Sequence, residues 1–333
     1  MKIGLIGTGH LGKIHLKCIQ LVEELELVGC YDIDGERCKA IAAEKGIVAF
    51  DSAEALMAAV DIVDIVTPTV THFALAKAAL EQGKHVFIEK PLTHTVEEAK
   101  ILLDLSRAKN CKVQVGHVER FNPAFLSLEG KSLSPMFIEA HRLAMFNPRG
   151  TDVSVVLDLM IHDIDIVLSM VKSPLKRISA SGVAVVSDTP DISNARLEFE
   201  NGCVANLTAS RLSLKQMRKV RLFQKDAYIS LDFLDKKAQI IRLYDKGAVD
   251  KPQSDDLLEL DTANGQKFIH IDMPEIADNN AIRMELDSFR KSIVENTRPL
   301  VDVEDGYKAL KVAHEVIQVM NENKLSSLTN EEL

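Results

Sequence analysis

The chain has 333 residues, 46% of them hydrophobic and 27% charged, a composition that excludes disorder and a length that leaves open one enlarged domain or two ordinary ones. Forty basic against forty-nine acidic side chains give a net charge of −9, which argues against nucleic acid as the main partner because phosphate binding needs a positive face. No apolar stretch reaches the roughly 18–20 residues of a membrane span, residues 1–6 read as a strand rather than a signal peptide, and five scattered cysteines without a C-x-x-C pair suggest neither zinc nor disulfides, so a reducing cytoplasm is expected.

Up to residue 118, apolar runs at 2–6, 25–31, 62–66, 85–88 and 112–115 alternate with segments of helical character. This alternation predicts a doubly wound α/β domain whose parallel sheet is covered on both faces. Thr95 and Glu98 have the spacing of a capping box at the head of the last helix in this series. After Gly116 the pattern changes. A strand is predicted at 136–146 and a single apolar helix at 153–171. Short alternating runs at 178–186, 195–199, 204–209, 219–223, 228–231 and 240–243 predict an open, mostly antiparallel sheet in an α+β domain. From 281 the chain turns helical again, through Leu286, Phe289 and Ile293 and then Ala309, Val312, Ala313, Val316, Ile317 and Met320. Two domains are therefore expected, 1–118 and 119–333, with 250–256 as a mobile loop.

Gly7, Thr8, Gly9, His10, Leu11 and Gly12 follow the first strand and open the first helix, a G-x-G-x-x-G loop of the kind that cradles a pyrophosphate. Gly7 suits a tight turn, Gly9 a close approach of backbone to anion, and Gly12 close packing of helix on strand. Asp32 ends the second strand, twenty residues after Gly12. A carboxylate there accepts from ribose hydroxyls and repels a 2′-phosphate, which favours NAD over NADP, although Arg37 is close enough in sequence to allow dual use. A tight turn in a fold that binds nothing is the bland alternative.

Glu89, Lys90 and Pro91 close the strand at 85–88. Open parallel sheets bind ligands outside such strand ends, which makes Lys90 a candidate proton acceptor beside a nicotinamide; an arbitrary Lys-Pro is more often a surface lysine before a turn. Thr67, Pro68 and His72 end the preceding strand, where they could meet the nearby ribose, or where Thr71 could simply cap the next helix.

At about 100° per residue, Ser154, Asp158, His162, Asp165 and Ser169 fall within an arc of roughly 80° on the 153–171 helix. Their neighbours are almost all apolar, so the helix is expected to be buried with its polar stripe facing a ligand, a partner or a cavity. Asp158 could orient and charge-stabilise His162, leaving His162 to exchange a proton with a substrate hydroxyl. A satisfied core histidine and a metal site are the alternatives. A metal needs three or four convergent ligands and no further contributor is evident, so none is expected. Asp163 reads as a solvent-facing break.

In their order along the chain, several motifs resemble the glucose–fructose oxidoreductase / inositol dehydrogenase / MocA (Gfo/Idh/MocA) family. They are the three loop glycines with His15, Asp32, Thr67-Pro68 with His72, Glu89-Lys90-Pro91, Arg120 with Pro123, Asp158, His162 and Asp165 at their spacing, and Pro299 with Glu304-Asp305-Gly306. The resemblance implies an N-terminal Rossmann domain that binds NAD, an open-faced C-terminal sheet domain, and substrate held between them. It also implies Lys90, Asp158 and His162 as catalytic residues, and a cis peptide before Pro91. The paired glycines often found before the catalytic aspartate are absent, the segment reading Asp152-Val153-Ser154-Val155-Val156-Leu157-Asp158.

Within the family, 116–123, 147–152 and 159–163 look most like UDP-N-acetylglucosamine 3-dehydrogenases, which make a 3-keto nucleotide sugar for a partner aminotransferase. That likeness assigns Lys90, Arg120, Asn122, Arg149, His162 and Asp165 to the substrate, with Arg142 helping to neutralise a diphosphate. Arg120 and Arg149 as structural clamps between the domains are the alternative. A free sugar or inositol-like polyol is the alternative substrate, and a non-catalytic NAD-binding sensor the alternative class. An open sheet has a face to cover, so a homodimer or homotetramer is expected.

Overall fold

The computed structural model describes residues 1–147, 153–248, 252, 257–262, 265–277 and 279–330, with side chains through 323. Two compact units emerge: Met1–Phe121 with Asn280–Lys311, and Asn122–Asn279 with Val312–Leu333.

The first unit alternates strand and helix as its apolar runs demand: β1 (Lys2–Ile6), α1 (His10–Ile19), β2 (Glu26–Tyr31), α2 (Gly35–Lys45), β3 (Val48–Ala49), α3 (Ala53–Ala59), β4 (Ile62–Ile65), α4 (His72–Glu81), β5 (His85–Glu89), α5 (Val96–Lys109) and β6 (Val113–Gly116). The strands pair in the order β3-β2-β1-β4-β5-β6, every neighbour parallel. Strand order reverses between β1 and β4, the switch point at which such sheets take their ligands. β4 and β6 are buried at every residue, which explains why they read as continuous apolar runs rather than alternating ones. Helices α2, α3 and α5 start where short polar side chains satisfy their first N–H groups. Asp34 accepts from Arg37 N, Ser52 from Ala55 N, and Thr95 and Glu98 form the expected capping box.

The second unit opens with α6 (Pro123–Leu126) and β7 (Phe137–Leu143). The predicted helix at 153–171 is a π-helical turn, Val156–Met160, leading into α7 (Ile161–Met170). A uniform 100° per residue therefore does not hold across the stripe, because the wider i→i+5 turn rotates each residue less. Then come β8 (Leu175–Val183), β9 (Ile192–Phe199), β10 (Val204–Ser210), β11 (Met217–Phe223), β12 (Ala227–Asp232), β13 (Lys237–Asp245), β14 (Leu258–Thr262) and β15 (Gly265–Asp272). The nine-stranded sheet runs β14-β15-β13-β12-β11-β7-β10-β9-β8, antiparallel except for the β7–β10 pair. Burial alternates residue by residue along β7, β10 and β12, so one face is packed and the other is not. Ion pairs Arg196–Glu198, Arg221–Glu139 and Lys219–Asp232 and the Phe137–Phe223 edge contact lie on the less buried positions.

Asp163 is not solvent-facing. It and Arg142 of β7 are both buried and form a forked ion pair, Nη2 to Oδ1 at 2.9 Å and Nε to Oδ2 at 3.1 Å. Arg142 is thereby committed inside the unit rather than to a diphosphate.

The chain returns to the first unit with α8 (Ala281–Val294), and α9 (Val303–Asn330) begins in the first unit and ends in the second. The sequence boundary placed everything after 118 in one domain; packing assigns 280–311 to the other. An amphipathic helix needs an apolar partner, and α8 finds it on the parallel sheet. Leu286 and Phe289 join the core of Ile3, Leu5, Leu16 and Phe87, with the Phe87 and Phe289 rings 6.1 Å apart, edge to face. Backbone follows side chain: Gln114 Nε2 donates to Glu285 O at 2.8 Å, and Val115 N to Val301 O at 3.0 Å.

Candidate active site

The polar residues of the first unit gather at the carboxyl ends of its strands. Gly7, directly after β1, has φ +101°, and a Cβ there would sit 2.4 Å from Val66 O. A Cβ on Gly12 would stand 1.9 Å from Gly7 O, so α1 can pack on the loop only with glycine at that position. Gly9 differs. Nothing lies within 4 Å of its Cβ position, and no side chain caps α1. The helix therefore presents its first N–H groups, flanked by exposed His10 and Leu11, beside an open stretch of glycine backbone, which is the cradle a pyrophosphate requires.

Asp32, just past β2, is buried, and its Oδ2 accepts from Thr8 N at 2.6 Å and Thr8 Oγ1 at 2.9 Å. Its Oδ1 accepts from Asp34 N at 2.9 Å and Arg37 Nη2 at 2.6 Å. Burial pushes this carboxyl up, but the N–H groups of Asp34 and Thr8, the Thr8 hydroxyl and Arg37 outweigh it and hold it below the ordinary carboxylate range. All four acceptor positions are filled, so a ribose diol must displace a partner. Arg37, 43% exposed, is the one free to swing away. Arg37 is thus Asp32's own partner before it is anything to a cofactor phosphate.

At the end of β4, Thr71 does not cap α4; its hydroxyl lies 2.7 Å from Thr67 Oγ1 and 2.8 Å from Pro68 O. His72, expected at the cofactor, is buried with Nδ1 3.0 Å from Pro91 O and Nε2 2.9 Å from Thr67 O. Burial lowers its pKa against those two carbonyl contacts. His72 therefore ties the β4 turn to the β5 turn, leaving Thr67 and Pro68 to line the edge. Lys90 sits half-buried at the end of β5, its N–H donating to Glu89 Oε2 at 3.1 Å, and the Lys90–Pro91 peptide is cis as the resemblance implied.

In the second unit, Asp158 lies in the π-turn and His162 in the first turn of α7, both half-buried on one continuous helical run, with Asp165 buried one turn further. Asn122 is spent on the fold: Oδ1 accepts from Ala124 N as the cap of α6, and Nδ2 donates to Phe233 O at 3.0 Å. Arg120 belongs to the first unit, where its Nη2 lies 3.9 Å from Asp305 Oδ2, a pair within that unit. Arg149 and the 250–256 loop, Pro252 excepted, lie outside the described residues. Among the described residues no group of three or more His, Cys, Asp or Glu side chains could hold a metal ion, and no helix is long and apolar enough to cross a membrane.

Asp64 belongs to no motif in the sequence. A carboxylate inside the all-buried strand β4 demands a cationic partner, and that demand was the available signal. The partner is His15.

Residues 1–117 match the family described as an oxidoreductase family with an NAD-binding Rossmann fold, and residues 135–229 match its GFO/IDH/MocA C-terminal domain. UDP-N-acetylglucosamine 3-dehydrogenase of Acidithiobacillus ferrooxidans is 36% identical over 317 residues, 95% of this chain and 96% of that protein. The chain belongs to the GFO/IDH/MocA oxidoreductase family. A solved structure of the Acidithiobacillus enzyme superposes with a TM-score of 0.85 at 35% identity, covering 96% of this chain and 97% of that one. The NAD-dependent scyllo-inositol 2-dehydrogenase of Bacillus subtilis is 29% identical over 64% of this chain and 68% of its own. As a GFO/IDH/MocA protein the chain is an NAD-dependent oxidoreductase, and the open Gly9 backbone and the Asp32 carboxylate fit that cofactor's pyrophosphate and ribose.

Proposed function

We propose that the protein oxidises a secondary alcohol of a sugar, the 3-hydroxyl of a UDP-linked N-acetylamino sugar. The match that runs end to end with a UDP-N-acetylglucosamine 3-dehydrogenase, at 95% and 96% coverage, carries this reading. Bound NAD supplies the hydride acceptor. The hydroxyl proton passes to Lys90; that this residue directly follows β5, at the strand end where open parallel sheets take their ligands, supports the role. His162 hydrogen-bonds the sugar and Asp158 orients that histidine, with Asp165 and Arg149 as further substrate-binding residues. The keto product suits a partner aminotransferase, the half-open sheet a homodimer or homotetramer, and the five free cysteines a reducing cytoplasm.

The test is NADH formation with UDP-N-acetylglucosamine, coupled to an aminotransferase so that equilibrium does not hide the product. Turnover with this nucleotide sugar is expected, as is a rise in melting temperature with UDP alone. Turnover of free inositols without any response to UDP would refute the substrate. Lys90→Met should cost about 10²–10⁴-fold in kcat, the usual contribution of a general acid–base group, and a loss under about tenfold would remove Lys90 from the role.

A further inference from the structure

Three side chains from three elements meet inside the first unit, and two of them have no part in the chemistry above. His15 of α1 and Asp64 of β4 are fully buried, with Nδ1 2.9 Å from Asp64 Oδ2. His15 Nε2 lies 3.0 Å from Glu89 Oε1 at the end of β5. Glu89 also accepts from Lys90 N through Oε2 at 3.1 Å. With Asp64 on the other ring nitrogen, a protonated ring can donate to both carboxyl groups, and it meets the Phe87 ring edge to face with the centroids 5.6 Å apart. Burial pulls the His15 pKa down, yet the charge and hydrogen bond of Asp64 and then those of Glu89 raise it well above its ordinary value. Behind Glu89 stands Gly116, its register partner on β6, where a Cβ would lie 2.9 Å from the carboxyl carbon and both oxygens. The carboxylate thus lies against bare backbone on one side and the His15 ring on the other.

We propose that His15 is a positioning residue for Lys90. It locks the Glu89 carboxylate, and the carboxylate holds the Lys90 main chain at the end of β5. His72 secures the same turn from its far side by bonding Pro91 O. The proposal rests on reading Lys90 as the proton acceptor, which needs its amine held to within a fraction of an ångström. Misplacing a reacting group by about 1 Å costs roughly 10²-fold in rate. The titratable groups facing His15 are Asp64, Glu89 and the Cys18 thiol.

The experiment follows ¹⁵N-histidine NMR from pH 6 to 10, amide exchange at Lys90 and steady-state kinetics in the wild type, His15→Gln, Glu89→Gln and the double variant. Both His15 ring nitrogens should keep their protons above the ordinary histidine pKa of about 6.5 in the wild type, and Lys90 N–H should exchange faster in each variant. The rate constant kcat should fall about 10²-fold while KM barely moves. The double variant should lose no more than the worse single one, since the two act through one contact. A wild-type His15 that loses a ring proton at or below the ordinary histidine pKa of about 6.5 overturns the proposal even if His15→Gln fails to fold, and so does unchanged Lys90 exchange in a folded variant. Faster exchange with unaltered kcat supports the positioning and overturns instead the role of Lys90 as acceptor.

Discussion

Asp163→Asn separates a surface position from a buried one by a wide margin. Asp163 and Arg142 are each only 3% exposed in their side chains, and three guanidinium–carboxylate contacts between 2.9 and 3.2 Å join them. Asparagine keeps the shape, removes the charge and turns an N–H₂ toward a guanidinium that cannot release its proton. Breaking a buried pair by removing one partner costs about 3–5 kcal/mol, whereas a substitution at an exposed helix position stays within about 0.5 kcal/mol. Urea unfolding followed by circular dichroism reads the difference as a shift in midpoint. With a slope of about 1–3 kcal/mol per molar, the midpoint should fall by a molar or more. Replacing both partners, Arg142→Met with Asp163→Leu, should restore most of the loss, because an apolar pair leaves no buried charge unpaired. A midpoint within about 0.3 M of wild type for Asp163→Asn would refute the reasoning, since that is the shift expected of an exposed position.

Asp32→Ala should weaken NAD binding about 10–100-fold by isothermal calorimetry, the value of hydrogen bonds to an ionised acceptor, and unchanged affinity would remove Asp32 from the ribose. Gly12→Ala should abolish NAD binding and lower the melting temperature, because the added carbon would meet Gly7 O at 1.9 Å and drive α1 off the loop. His15 has its pKa raised in the fold, so the stability it contributes is fully present below about pH 6.5 and is lost as pH rises through the raised value. Melting temperatures taken into the alkaline range should therefore fall more steeply for the wild type than for His15→Gln; parallel curves would count against the imidazolium.

The phosphate loop, the carboxylate after β2 and the alternation of β1 through β6 were legible because local spacing alone specifies them: a glycine where φ is positive, an apolar run where both faces are covered. Asp163 was not legible, since its partner Arg142 is 21 residues away on a strand and only the folded register joins them. The π-turn at 156–160 interrupts an apolar pattern that a straight α-helix would also satisfy. His72 looked like a ligand contact because a histidine after Thr-Pro says nothing of two carbonyls that converge from different loops. Asn122 looked available for the same reason, its partner Phe233 O being supplied by a distant strand end. The period of α8 announced a buried face but not which sheet would bury it.

That last feature sets an order of events during synthesis. Phe87 and the face around it are made early, yet Leu286 and Phe289, which cover them, are the product of the last sixth of the chain. At about 5–20 residues per second, the 190 residues between 121 and 311 take on the order of 10–40 seconds to emerge. Throughout that interval the nascent nucleotide domain carries an uncovered apolar face while residues 122–279 of the second unit are being made. The first domain to begin folding on the ribosome is thus among the last to finish, and a fragment cut at the apparent boundary near 118 would keep that face permanently open to chaperones and to aggregation.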